Sequence, residues 1–237
     1  MSVASFRYSL KSDPYSSHGQ IAAWLQRYRQ QHLPQRPCVV YDIGCAQGLL
    51  GQLLPSADFT LYGVDTDSAS VELARATYRA VWQADIEQPP AFNFPEPPDA
   101  MVLADVLEHT REPDVCLTRL CQTFLSAATP IVISLPNVAH LYVRLALLVG
   151  RFEYAARGIC DHTHLRFFTQ ASAMRLIVGC GITIDQVAAT PVPLPILNAR
   201  FRPGRPLWPI HRAQAAMARV FKTLLGYQLI IYGRYRG

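Results

Sequence analysis

The run Cys38-Val-Val-Tyr-Asp-Ile stops at Gly44, and it sets the frame for the chain that follows. A short β-branched run bounded by glycine reads as a buried strand feeding a turn. Similar runs return at Phe59–Asp65, Ala80–Asp85, Asp99–Asp105 and Pro130–Leu135. Between them the pattern predicts helices over Leu49–Leu54 (closed by Pro55), Ser68–Arg79 and Pro113–Leu125. Ser68 and Ser70 are the expected caps of the second helix, with Val71, Leu73, Ala74 and Tyr78 as its apolar positions. The third is expected to turn Val115, Leu117, Leu120, Cys121 and Phe124 inward. Strands alternating with helices at this spacing argue for a parallel sheet covered on both faces. Right-handed crossovers then bring every strand's C-terminal end to one edge, where open α/β sheets bind ligands.

The last part of the chain departs from this alternation. Gly181–Val187 and Gly226–Gly233 read as strands, separated by a proline-rich loop (191–209) and a helix near Pro209–Leu225. Half of the 237 residues are hydrophobic and only 16% are charged, which suits one core and one domain and excludes a disordered chain. The apolar stretches Ile131–Leu135 and Leu145–Val149 fall far short of the ~20 residues a membrane span needs. Met1–Arg7 lacks the apolar core of a signal peptide. Six cysteines without a C-x-x-C pair read as reduced, mostly buried thiols of a cytoplasmic protein.

The strongest local signal is Asp42-Ile-Gly44-Cys45-Ala46-Gln-Gly48, at the end of the first strand. Glycines there let the backbone approach a ligand closely. Asp65 ends the second strand and can accept hydrogen bonds from both ribose hydroxyls of an adenosine. Asp85 ends the third and can accept from an adenine amino group. A dinucleotide-binding G-x-G-x-x-G would fall on Gly44, Ala46 and Leu49, so two of its three positions fail. No GxxxxGK[ST] phosphate loop is present.

With these residues the chain resembles the class I S-adenosylmethionine-dependent methyltransferases. Val39–Gly48 is similar to the family's first motif, Tyr62-Gly-Val-Asp-Thr-Asp to its second-strand acid, and Gln83-Ala-Asp-Ile to its adenine-side motif. Ala104-Asp-Val-Leu-Glu-His with Glu112-Pro113 resembles the fourth-strand segment of the ubiquinone-type small-molecule enzymes. The resemblance implies a Rossmann-like seven-stranded α/β sheet, mostly parallel with an antiparallel C-terminal strand and helices on both faces. It implies S-adenosyl-L-methionine as cofactor. Gly44, Cys45, Ala46 and Gly48 would line its methionine and ribose side, with Asp42 behind the turn. Asp65 and Thr66 would take the ribose, Asp85 and Ile86 the adenine, and Ala104 would face the sulfonium. Ala46 replaces the middle glycine of the motif, and a turn of negative φ would accommodate its methyl group. Residues 1–36, with a helix following Tyr15-Ser-Ser-His18, would cap the cofactor.

Methyl transfer is an in-line displacement, so positioning carries most of the catalysis. A hydroxyl acceptor also benefits from a base, for which histidine is suited near neutral pH. His162 and His164, in Asp161-His-Thr-His-Leu-Arg-Phe-Phe-Thr169, are the candidate catalytic residues, and Thr169 is expected to cap a helix over Gln170–Val178. The segment resembles the stretch that builds the acceptor site in small-molecule O-methyltransferases. His109 reads as a fold residue. Asp161, His162 and His164 have no second ligand cluster to support a metal, so none is expected. Residues 137–168 form an insert whose aromatic loop would make the acceptor pocket or its lid.

Charge is unevenly placed. From Gln186 onward there are eight basic residues (Arg200, Arg202, Arg205, Arg212, Arg219, Lys222, Arg234 and Arg236) and no acid. On the helix near Pro209–Leu225, Ile210, Met217, Phe221 and Leu224 share one side, and His211, Arg212, Arg219 and Lys222 the other. A crossover helix packed by its apolar side, with its basic side in water, is the first expectation. The second is peripheral contact with an anionic membrane, for a lipidic acceptor, with Trp208 and the proline loop inserted. A nucleic-acid acceptor is disfavoured, because the Asn/Asp-Pro-Pro-Tyr/Phe signature is absent after the fourth strand. The expected activity is methyl transfer to a small-molecule acceptor, at a hydroxyl oxygen first. The alternative is a domain that binds the cofactor without transferring methyl.

Overall fold

The computed structural model describes residues 13–88 and 92–237. Met1–Arg7, Pro89 and Pro90 lie outside the described residues. Strand β1 (Cys38–Ile43) is buried at every position, as an apolar run in the middle of a sheet must be. It is flanked on both sides by parallel neighbours, β2 (Phe59–Asp65) and β4 (Ala100–Ala104). Strands β3 (Ala80–Gln83) and β5 (Pro130–Pro136) extend the parallel set outward. Strand β7 (Gln228–Tyr235) runs antiparallel between β5 and β6 (Ile182–Ala189). The order is β3-β2-β1-β4-β5-β7-β6, a seven-stranded α/β sheet with a single antiparallel strand, as the sequence implied.

Alternate residues of one strand serve opposite faces. Val39, Tyr41 and Ile43 join Met101, Leu103, Ile131 and Ile133 in one core, beneath α3 (Pro113–Phe124) and α5 (Gln170–Gly179). Cys38, Val40, Val102 and Val132 join the other, covered by α1 (Ser17–His32) through Ile21, Ala22 and Leu25. All six cysteines are buried and unpaired. Thr169 caps α5 with a capping box, Ser172 answering its backbone amide. No helix among the described residues is long and apolar enough to cross a membrane.

Several local expectations are corrected. Leu49–Leu54 forms consecutive turns, not a helix. Gly48 takes a left-handed φ of +74° against Thr77 and Ala74, and Gly51 adds a second weak helix former. Helix α2 spans Ser68–Ala74, and its cap is Asp67, which accepts from the Ser70 amide at 2.9 Å. It ends early because Tyr78 turns inward to reach buried Asp42, leaving Leu73 exposed. Strand β3 stops at Gln83, so Asp85 sits in the turn beyond it. Val115 of α3 faces outward. The proline-rich stretch contains a short helix, α6 (Leu194–Leu197), and a 3-10 turn over Ala199–Phe201. The insert 137–168 carries α4 (Leu141–Leu148), which buries Val143 on Ile159 and Cys160 and leaves Leu145, Leu147 and Leu148 outward.

The C-terminal helix reverses its expected orientation. It is two helices, α7 (Trp208–Val220) and α8 (Lys222–Leu225), broken at Phe221. Ile210, Met217 and Phe221 are more than half exposed, and Val220 is 74% exposed. The buried residues are His211, Ala215 and Ala218. His211 is fully buried and its Nε2 lies 2.7 Å from Asp13 Oδ2. Two alanines let the helix backbone approach closely, and Tyr15 stacks on Trp208 at 5.5 Å. Leaving either partner of such a buried hydrogen bond unsatisfied costs about 1–3 kcal/mol. Each half-covered aliphatic side chain left outward forgoes about 1 kcal/mol. The pair therefore competes with the apolar stripe for the rotation of the helix.

Candidate active site

Strand order reverses between β1 and β4, and the segments that leave these two strands meet at the edge where open α/β sheets bind ligands. Gly44 has φ +71°, and a Cβ there would meet Val106 Cγ2 at 2.5 Å. Only glycine lets the turn after β1 lie this close to the segment after β4. The Gly44 and Cys45 amides donate to the Val64 carbonyl at 2.8 and 3.1 Å, which fixes the start of the turn. The Cys45 thiol packs into the core against Gly63, so only its backbone is left for a ligand.

Ala46 does not take the negative φ expected of it. Its φ is +45°, in the left-handed region that disfavours a Cβ by about 1–2 kcal/mol. What holds it there is Asp65, whose Oδ2 accepts the Ala46 amide at 2.8 Å. Asp65 Oδ1 accepts the Asp67 amide at 3.0 Å. The carboxylate at the end of β2 is thus oriented by two backbone donors, each of its oxygens keeping a further lone pair. Thr66 is exposed, and its carbonyl accepts from Gln83 Nε2. Exposed Asp85 is fixed by accepting the Glu87 amide at 2.9 Å. Ile86 packs partly into the core, and its carbonyl accepts from Arg119 at 3.0 Å. Ala104, half-buried, ends β4 at the same edge.

Behind the turn, Asp42 is buried and its Oδ2 accepts the Tyr78 hydroxyl. Burial pushes its pKa up to about 7, against the Tyr78 hydrogen bond, and the Asp65 charge adds to the rise. The same burial, with Asp42 beside it, raises Tyr78 well above the usual phenol range.

Past β4, Asp105 is a feature the sequence reading missed. It takes φ +59° and is held by two side chains, Ser134 Oγ donating to Oδ1 and Gln228 Nε2 to Oδ2, each at 2.7 Å. An aspartate at a strand end tolerates this conformation better than most residues, and that was its available signal. The two candidate histidines separate. His162 is exposed, with Nδ1 3.2 Å from the Ala155 carbonyl. His164 is half-buried, with Nδ1 3.0 Å from the Ile159 carbonyl. Burial lowers its pKa, opposed by that backbone bond. The loop that carries it is pinned to the β4 side, because the Leu165 and Arg166 amides both donate to the Glu108 carbonyl. His164 therefore lies against His109, ring centroids 4.9 Å apart, rather than beside His162.

Asp42 supplies a pH test. Its carboxyl ionises near 4 in the unfolded chain and near 7 in the folded one. Its contribution to stability is complete below about pH 4 and is lost as pH rises through 7. Replacing Asp42→Asn removes that loss, so urea midpoints at pH 5 and pH 8 should differ less in the variant than in wild type. Equal pH dependence in the two proteins would contradict the buried, protonated carboxyl.

Comparison with known proteins follows the same frame. A family model described as methionine biosynthesis protein MetW matches residues 29–159. No curated protein matches the chain in sequence. Magnesium protoporphyrin IX methyltransferase from Synechocystis PCC 6803, solved with bound SAH, is similar at a TM-score of 0.59 and 16% identity, over 93% of this chain and 83% of that one. A SAM dependent methyltransferase from Archaeoglobus fulgidus gives 0.55 and 18%, over 92% and 95%. The plantazolicin methyltransferase BpumL, in complex with SAH, gives 0.60 and 14%, over 95% and 86%. At these identities the likeness is one of fold. The strand order, the glycine turn and the matched residues together place this chain in the MetW family, on the fold of the S-adenosylmethionine-dependent methyltransferases.

Proposed function

We propose that the chain transfers a methyl group from S-adenosyl-L-methionine to a small-molecule acceptor, at a hydroxyl oxygen. The observation that carries this reading is the shared edge of Gly44–Gly48, Asp65 and Asp85. There a backbone turn too tight for side chains at Gly44 adjoins two carboxylates already oriented by backbone amides. Such carboxylates fit the ribose hydroxyls and the adenine amino group, and the glycine turn fits the methionine portion. When bound, the cofactor supplies a methyl carbon activated by a sulfonium. Ala104, half-buried at the end of β4, would face that carbon with a side chain of one methyl group. Of the two candidate histidines, His164 is better placed to meet the acceptor. A carbonyl can only accept, so its Nδ1 carries the proton and its Nε2 keeps a lone pair. Aromatic Phe152, Tyr154 and Phe167 pack on one another beside it and suit the wall of an acceptor pocket.

One sheet takes strands from Cys38 to Tyr235, which supports a single domain. The six unpaired cysteines support a reducing, cytoplasmic setting. Calorimetric titration with S-adenosylhomocysteine tests the reading. Wild type should bind one equivalent, and Asp65→Ala about 100-fold more weakly, for the loss of charge-assisted hydrogen bonds of about 1.5–3 kcal/mol each. Absence of binding by wild type, or equal affinity of a folded Asp65→Ala, would defeat it.

A specific observation also supports the membrane-surface reading. The apolar stripe Ile210, Met217, Val220 and Phe221 faces outward, in a segment whose charged residues are all basic. The acceptor on this reading is lipidic and is met at an anionic surface. The chain should float with phosphatidylglycerol vesicles at low salt, and less at high salt. No lipid-dependent flotation at either salt removes the membrane contact.

A further inference from the structure

We propose that Glu108, His109 and His164 bind one divalent metal ion of the first transition row or zinc, at the ligand edge of the sheet beside the end of β4. The sequence suggested Asp161, His162 and His164 as the only trio to weigh, and the described residues gather a different one. One ligand atom from each of Glu108, His109 and His164 lies within 4.8 Å of the others. Donors held about 2.1 Å from an ion on one side of it stand about 3.0–3.5 Å apart, so these three side chains must turn inward by roughly an ångström to close the site.

Three further observations favour ligation over a chance cluster. First, His109 Nδ1 lies 3.2 Å from the Thr163 carbonyl and His164 Nδ1 3.0 Å from the Ile159 carbonyl. Both rings are therefore held as Nδ1–H tautomers that present Nε2 lone pairs. Metal-binding histidines are oriented by this kind of outer hydrogen bond to a carbonyl. Second, the donors come from two segments locked together by backbone. The Leu165 and Arg166 amides reach the Glu108 carbonyl at 2.8 and 3.0 Å, so the donors are brought together without the ion. Third, the Glu108 carboxyl group is 1% exposed, whereas His109 is exposed, so the cluster is shielded on one side and open on the other. Two imidazoles and a carboxylate on one side of an ion leave positions for an outside oxygen, the arrangement suited to zinc, iron, cobalt or manganese.

Its role rests on the methyl-transfer reading. An acceptor hydroxyl bound at an open position is acidified as metal-bound water is. Its proton passes to solvent, the oxygen's electron pair forms the new O–C bond, and the C–S electron pair returns to sulfur. His164 then acts as a ligand of the ion that holds the acceptor, not as a free base.

The test uses the full chain stripped with chelator and titrated with Co2+, read by its visible absorption. Wild type should bind one equivalent with the intensity of a low-coordinate site. His164→Ala and His109→Ala should each weaken binding at least about tenfold. His162→Ala, outside the cluster, should bind as wild type does. Calorimetry with S-adenosylhomocysteine on the same samples checks the cofactor site separately and shows that each variant is folded. Normal cofactor-site binding with no stoichiometric cobalt overturns the metal site alone. So does cobalt binding that survives His164→Ala or is lost in His162→Ala. Loss of S-adenosylhomocysteine binding by wild type defeats the methyl-transfer reading and leaves the cobalt result to stand by itself.

Discussion

The close approach of the Gly44 backbone to the Val106 side chain at the sheet's switch point governs the rest of the molecule. The turn after β1 and the segment after β4 meet where Gly44 faces Val106, with no room for a Cβ between them. From that contact the turn runs through two more left-handed residues, Ala46 and Gly48. Glycine adopts this conformation freely, and alanine does not. The strain at Ala46 is held by one charge-assisted hydrogen bond from its amide to Asp65. The same bond orients the carboxylate at the edge. Shape of the loop and chemistry of the edge therefore share one interaction.

The acids around this turn do different work. Asp65 and Asp85 lie at or beyond strand ends and are positioned by amides. Asp42, one strand residue before the turn, is sealed in the core with Tyr78. Its burial stabilises the neutral carboxyl, and Tyr78 is drawn off the end of α2 to meet it. The early end of that helix, the turns over Leu49–Leu54 and the tight seat of Gly48 against Ala74 and Thr77 belong to one packing solution.

Much of the frame was legible because it is written locally. The five apolar runs from Cys38 to Leu135 became five parallel strands, and Thr169 capped its helix where a threonine before a periodic run should. Asp65 was found at its strand end. What was not legible is decided across the chain. The rotation of α7 depends on Asp13 and His211, 198 residues apart, and an apolar stripe read alone points the wrong way. The left-handed Ala46 depends on a bond to the next strand. The approach of His164 to His109 depends on a loop pinned to the Glu108 carbonyl, which spacing within Asp161–Thr169 does not encode.

The central claim is that this edge holds an adenosyl group. The most direct measurement is a crystal structure of the chain with S-adenosylhomocysteine at saturating concentration. The account predicts the ribose hydroxyls within hydrogen-bond distance, about 2.5–3.0 Å, of Asp65, with the adenine beside Asp85 and Ile86. Ligand density elsewhere on the molecule, or none along the Gly44–Gly48 turn, would contradict it.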